Sequence, residues 1–155
     1  MSWIITGSNF SRCYEQSGGT VFCDFSPEST QNGTRWAVQF GNVATLGPNS
    51  FVVGKVAANL LYAETRVSSV TQYSVSQAMT SSRGKIAYAV SDGNHQAAFD
   101  GTLAASGTGS FASLSDTILH IGKNVANTEI LNGHISRLTY YPYRLPDATL
   151  QEITS

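Results

Sequence analysis

The chain has 155 residues, 41% of them apolar, which suffices for one domain with a hydrophobic core and is too short for two ordinary ones. Only 12% are charged and the net charge is -1, with Lys and Arg scattered, so the composition excludes wholesale disorder and offers no basic patch for a nucleic acid. No apolar run approaches the roughly 18 residues of a membrane-spanning helix, and Trp3–Thr6 is too short, and lacks a basic flank, for a signal-peptide core.

Residues 1–18 carry no readable pattern and are set apart as a poorly defined segment ahead of one domain at 19–155. Cys13 and Cys23 could meet across adjacent strands, but two cysteines make no framework, and they are read as unbridged thiols. Gly19–Phe25 reads as a strand that stops at Ser26-Pro27. Gln31–Thr34 is a turn, after which Arg35–Phe40 alternates with Trp36, Val38 and Phe40 on one face and Arg35 with Gln39 on the other. Gly47-Pro48-Asn49 marks a turn before a strand at Ser50–Lys55. Leu60–Val67 places Leu61, Ala63, Thr65 and Val67 on one face and Tyr62, Glu64 and Arg66 on the other.

Tyr73–Met79 alternates again. Lys85–Ser91, Asp92-Gly93-Asn94 and His95–Asp100 form the clearest hairpin, and Asp100-Gly101 starts the next turn. Ser106–Ser110 is a loop, Thr117–Gly122 and Gly133–Tyr141 are strands, and a short helix follows Pro146, with Leu150 and Ile153 three apart. Strands recurring at short intervals without intervening helices predict an all-β, two-sheet antiparallel jelly-roll sandwich with a short C-terminal helix.

The closing run Ile130-Leu-Asn-Gly-His-Ile-Ser-Arg-Leu-Thr-Tyr-Tyr-Pro-Tyr-Arg-Leu-Pro-Asp-Ala-Thr-Leu-Gln-Glu-Ile-Thr154 resembles the ending of many bacteriophage tail and structural proteins, in which a strand with a Tyr-Tyr pair leads through Arg-Leu to a closing helix. Arg83–Gly93, Ala97–Gly101, Leu119–Gly122 and Ser17–Pro27 extend the resemblance over most of residues 17–155. It implies a concanavalin A-like (laminin G-like) jelly roll in a phage tail fibre, tailspike or related virion protein, hence a virion location. It also implies attachment to a host cell-surface glycan, contact with other virion protein segments, and a homo-oligomer such as a trimer. An assembly or decoration role without glycan binding is the alternative. Within the closing motif, strict alternation puts Ile135 and Leu138 on opposite faces, so one faces the core unless a bulge intervenes.

Catalysis finds no support in the residues. Glycan hydrolases of this fold carry closely spaced carboxylates on one strand, and Glu15, Glu64, Glu129 and Glu152 have no acidic residue two positions away. No Gly-x-Ser-x-Gly elbow accompanies His95, His120 or His134; His95 reads as an exposed hairpin residue, and the other two as packed or solvent-facing strand residues. No resident cofactor is expected. The calcium alternative rests on rim-loop oxygens, Asp92 with Asn94 and Asn127 with Glu129 beside Asn124, without a dense carboxylate cluster. A sugar site needs an aromatic platform and planar polar groups. Tyr62, Arg66, Tyr73, Gln77 and Arg35 are nominated for it, on the expectation that their strands adjoin and share a face.

Overall fold

The computed structural model describes residues 2–28, 32–41, 49–57, 59–111, 118–124 and 126–155. Alternating apolar positions and turn-forming residues produce, in chain order, β1 (Trp3–Thr6), α1 (Gly7–Ser11), β2 (Gly18–Pro27), β3 (Arg35–Phe40), β4 (Ser50–Val56), β5 (Leu60–Val67), β6 (Val70–Ala78), β7 (Gly84–Ser91), β8 (Asn94–Phe99), β9 (Thr102–Leu103), β10 (Ile118–Ile121), β11 (Gly133–Tyr141) and α2 (Asp147–Thr154). A six-stranded sheet runs β1-β10-β3-β4-β5-β6 and a five-stranded sheet runs β11-β2-β7-β8-β9, with antiparallel ladders throughout. This is the two-sheet jelly-roll sandwich with a closing helix that the sequence predicts. The expected turns at Gln31–Thr34 and Gly47–Asn49, and the strand start at Thr117, fall wholly or partly outside the described residues.

Two hairpins close on two-residue turns with both central residues at positive φ, Ser68-Ser69 (51° and 66°) and Asp100-Gly101 (45° and 79°). Their backbone twist matches that of the flanking strands. Between the sheets Phe40 stacks on Phe51 at 5.1 Å, and Phe51 meets Tyr88 of the opposite sheet at 4.9 Å. The N-terminal segment joins this core. β1 pairs with β10, while Phe10 and Tyr14 stack at 4.7 Å, and Tyr14 packs on Tyr140 at 5.8 Å. Cys13 is exposed and Cys23 buried, both unbridged, and burial pushes the Cys23 thiol well up. On the outside of the five-stranded sheet, Leu145 and Leu150 pack on Phe22, Ala87, Ala89 and Ala98, which seats α2. Pro146 stands at the cap rather than in the first turn, and Arg144 ties the helix start through Asp147 at 2.7 Å.

Bulges correct two readings of facing. The register of β3 against β4 shifts between Trp36 and Val38, so Ala37, Val38 and Phe40 all enter the core while Trp36 turns to the outer face. The same shift separates Arg35 from Gln39: Arg35 lies opposite Lys55, and Gln39 opposite Val52. In β11 a shift between Ile135 and Arg137 lets both Ile135 and Leu138 pack on the core.

His95 is another correction. It is fully buried rather than an exposed hairpin residue, because β8 carries it between the sheets. Its Nδ1 lies 2.8 Å from the Tyr88 hydroxyl, which in turn lies 2.7 Å from Thr65 Oγ1, and its Nε2 lies 2.9 Å from the Gly109 carbonyl. Burial holds its pKa below the ordinary 6.5, so the ring is neutral in the fold. As the pH drops below 6.5 the unfolded chain takes up the proton first. Stability is therefore complete above about pH 6.5 and is lost as the pH falls toward the folded-state pKa. The urea midpoint is expected to decline between pH 7.5 and 5, with a shallower decline in His95→Gln. Equal slopes in the two proteins would contradict this assignment.

Candidate functional site

The outer face of the six-stranded sheet, turned away from the cluster between the sheets, carries polar and aromatic side chains, of which Trp36, Gln39, Glu64 and His120 are buried while Tyr62 and Arg66 are part-exposed. In β5 the inward Leu61, Ala63 and Thr65 leave Tyr62, Glu64 and Arg66 outside. Antiparallel register then aligns three rows. The first runs Trp36, Gly54, Tyr62 and Ser76; the second runs Ile4, His120, Gln39, Val52, Glu64 and Ser74; the third runs Ser50, Arg66 and Thr71.

Trp36 and Tyr62 face each other across Gly54, their rings 6.0 Å apart and tilted 45°. A Cβ at Gly54 would meet the Arg35 carbonyl oxygen at 2.2 Å, so only glycine fits the floor between the rings. Trp36 is locked from the side: its Nε1 donates to Glu129 Oε2 at 2.6 Å, and Asn124 Nδ2 donates to the same oxygen at 3.0 Å. Asn124 Oδ1 accepts from the amides of Thr128 and Glu129, which holds that loop in place.

Glu64 gathers the polar half of the face. Tyr62 donates its hydroxyl to Glu64 Oε2, Thr71 donates to Oε1 at 3.2 Å, and Arg66 Nε lies 3.3 Å from Oε1. That last pair is close but poorly aligned, and the Arg66 Nε makes no hydrogen bond among the described residues. Burial, and then the bond to Glu64, push the Tyr62 hydroxyl up to about 12, so it stays a donor at neutral pH. Two further groups on this face are buried without a hydrogen-bond partner among the described residues, the Ser50 hydroxyl and both ring nitrogens of His120.

Of the five sugar-site nominees, Tyr62 and Arg66 stand together here. Tyr73 does not: it is 6% exposed and lies between the sheets, stacked on Tyr88 at 5.3 Å and His95 at 5.4 Å, its hydroxyl donating to the Ala105 carbonyl. Gln77 also turns inward and donates to the Phe99 carbonyl at 3.2 Å. The register explains both. Tyr62 lies opposite Ser76 and Glu64 opposite Ser74, so the serines share their face and the intervening Tyr73, Val75 and Gln77 point the other way. Arg35 stands at the sheet end, donating to the Thr34 carbonyl and lining a small cavity with Thr128, Ile130 and Asn132.

One side-chain oxygen each of Asp92, Asn127 and Glu129 is engaged with protein. Asp92 Oδ1 accepts from the Phe111 amide, Asn127 Oδ1 from Lys123, and Glu129 from Trp36 and Asn124. Among the described residues no three His, Cys, Asp or Glu side chains gather to hold a metal. Sequence reading missed Trp36 and His120 as members of the outer face. The apolar-polar-apolar run Leu119-His120-Ile121 held the signal for His120. For Trp36 the bulge hid it.

A separate groove of about 590 Å³ opens between β1 and β11, beside Trp3, Ile130, His134 and Arg137, and holds none of the nominated residues.

No protein-family model matches the chain, and neither does the sequence of any curated protein. Solved structures do resemble it. The CBM40 of a Ruminococcus gnavus IT-sialidase, bound to α2,3-sialyllactose, superposes with a TM-score of 0.78 at 16% identity, over 100% of this chain and 92% of that one. The leech intramolecular trans-sialidase, complexed with 2,7-anhydro-Neu5Ac, superposes at 0.75 and 14% identity over 99% of this chain but 27% of its own length. A SAP-like pentraxin from Limulus polyphemus follows at 0.69 and 12% identity, over 99% of this chain and 82% of that one. At these identities the likeness establishes the fold alone: a two-sheet antiparallel jelly-roll sandwich.

Proposed function

We propose that this domain is a non-catalytic carbohydrate-binding module, and that the outer face of the six-stranded sheet takes an acidic glycan of the sialylated class. The observation that carries the reading is the Trp36–Tyr62 pair set beside Glu64 and Arg66 on one face. The part-exposed Tyr62 ring, backed by the buried Trp36, suits the C–H face of a sugar ring, and the guanidinium suits a carboxylate. The R. gnavus CBM40 structures bound to α2,3- and α2,6-sialyllactose support the ligand class. The closing motif's resemblance to phage tail proteins supports a setting in a virion, where such a face would engage a host glycan.

Calorimetric titration of the domain with both sialyllactoses and with neutral lactose tests this. Saturable binding of the acidic sugars is expected, weakened about tenfold or more in Arg66→Ala, since hydrogen bonds to charged groups contribute about 1.5–3 kcal/mol. A folded domain silent toward a broad glycan panel would defeat the proposal. The alternative, an assembly role, draws on the exposed Trp3 and Ile4 on edge strand β1 and the nearby exposed Ile130. Silence toward glycans together with a trimer in solution would favour it.

A further inference from the structure

β1 and β11 are edge strands, one in each sheet, and among the described residues each has a ladder on one side only. The sandwich is open along that side, where the groove of about 590 Å³ lies. Its size falls in the range of small-ligand sites, roughly 300–1,000 Å³. Alternation puts Trp3 on the same side of β1 as Ile5, which packs on the core. Trp3 therefore turns toward the space between the sheets, yet it is 61% exposed, because the groove separates it from β11. Ile130, Asn132, His134 and Arg137, which also line the groove, are exposed as well. A large aromatic left open in a concavity among polar groups marks a ligand site.

We propose that this groove is a second carbohydrate site, taking an acidic oligosaccharide with one sugar ring on Trp3, its carboxylate at Arg137 and hydroxyls at Asn132 and His134. The ligand class rests on the glycan-binding reading above; the site is separate from it. Arg137 enters no ion pair among the described residues. Its guanidinium lies over the Phe22 ring at 5.4 Å, and its Nε donates to Thr139 Oγ1 at 3.3 Å. Those contacts order the side chain and leave its terminal amines for an anion. No Asp or Glu is among the described residues lining the groove, so its charge suits an acidic ligand. The indole of Trp3 offers a broad apolar face to the C–H side of a sugar ring, and Asn132 and His134 each offer a donor and an acceptor to hydroxyls. The bulge between Ile135 and Arg137, with the Arg137 charge, opposes the addition of another strand at the β11 edge, which favours a sugar over a peptide. Tyr62 and Arg66 stand on β5, four strand spacings from β1 or roughly 19 Å, so the two sites fill independently.

Acrylamide quenching of tryptophan emission reads this groove directly, because the chain has two tryptophans and Trp36 is only 1% exposed. On the intact chain, saturating 3′-sialyllactose is expected to remove most of the quenching, and lactose to leave it unchanged. Arg137→Ala should melt with the wild type and need about tenfold more sialyllactose for the same protection, the effect of losing a charged hydrogen bond. Arg66→Ala should keep the wild-type midpoint of protection. Unchanged quenching at concentrations that saturate the Arg66 site in calorimetry overturns the proposal and leaves the outer-face reading intact. Equal protection by lactose also overturns it. So does a Trp3 already shielded in the free protein in proportion to protein concentration, which would give the groove to a second copy of the chain. Protection of Trp3 without any heat dependent on Arg66 would support this site and bring down the outer-face one. Unchanged quenching with no heat of binding at all would bring down both.

Discussion

Replacing Tyr73 with alanine is expected to destabilise the fold by about 3–5 kcal/mol, the cost typical of emptying a buried aromatic site. The ring fills space between the sheets against Tyr88 and His95, and its hydroxyl satisfies the Ala105 carbonyl. Truncation would leave a cavity, an unpaired carbonyl and a loosened lid over the Thr65–Tyr88–His95 chain of hydrogen bonds. Urea denaturation at pH 7.5 measures it through the midpoint at constant slope. Tyr73→Ala with wild-type stability would mean that the ring is not part of the core. The outcome also separates the two tyrosines that sequence reading had grouped, since only Tyr62 stands on the polar outer face.

Gly54→Ala is the second large effect. The added methyl would sit 2.2 Å from the Arg35 carbonyl oxygen and 2.9 Å from Trp36 Cα, both backbone atoms that no rotamer change can move aside. β3 and β4 would have to part at the bulge, and Trp36 would be driven away from Tyr62. Overpacking costs about 1–3 kcal/mol, and a backbone clash belongs at the upper end. For a chain of this size that lowers the melting temperature by roughly 6–12 °C. A thermal melt within about 2 °C of wild type would show that the strands yield freely there. Sugar affinity should fall in parallel, because Tyr62 rests against the Trp36 ring that the substitution displaces.

Much of the sandwich is legible in the sequence because strand patterning is local. Tyr62, Glu64 and Arg66 alternate with Leu61, Ala63 and Thr65, and the structure keeps that division. The hairpin from β7 to β8 and the turn at Asp100-Gly101 also read directly from residues that tolerate positive φ. Three features did not. The bulge in β3 inserts one residue and reverses the facing of everything before it, which turned Trp36, still buried, away from the cluster between the sheets and divided Arg35 from Gln39. The hairpin register between β5 and β6 is set by the Ser68-Ser69 turn, and it put Tyr73 and Gln77 on the inner face. The N-terminal segment pairs with β10, more than a hundred residues away, and no local pattern announces such a partner.

The sequence by itself determined the fold class, the low charge that makes hydroxyl-rich ligands a natural match, and the polar face of β5, because each follows from composition or from period-two alternation along one strand. Only the tertiary structure decided which strands lie side by side, and so which side chains share a surface. It set Trp36 over Gly54 beside Tyr62, aligned His120 with Glu64 across three strands, and closed Tyr73 and His95 into the interior. The physical reason is that a binding face on a sheet is assembled perpendicular to the chain. Register and bulges govern that direction, and they depend on long-range pairing that no single strand encodes.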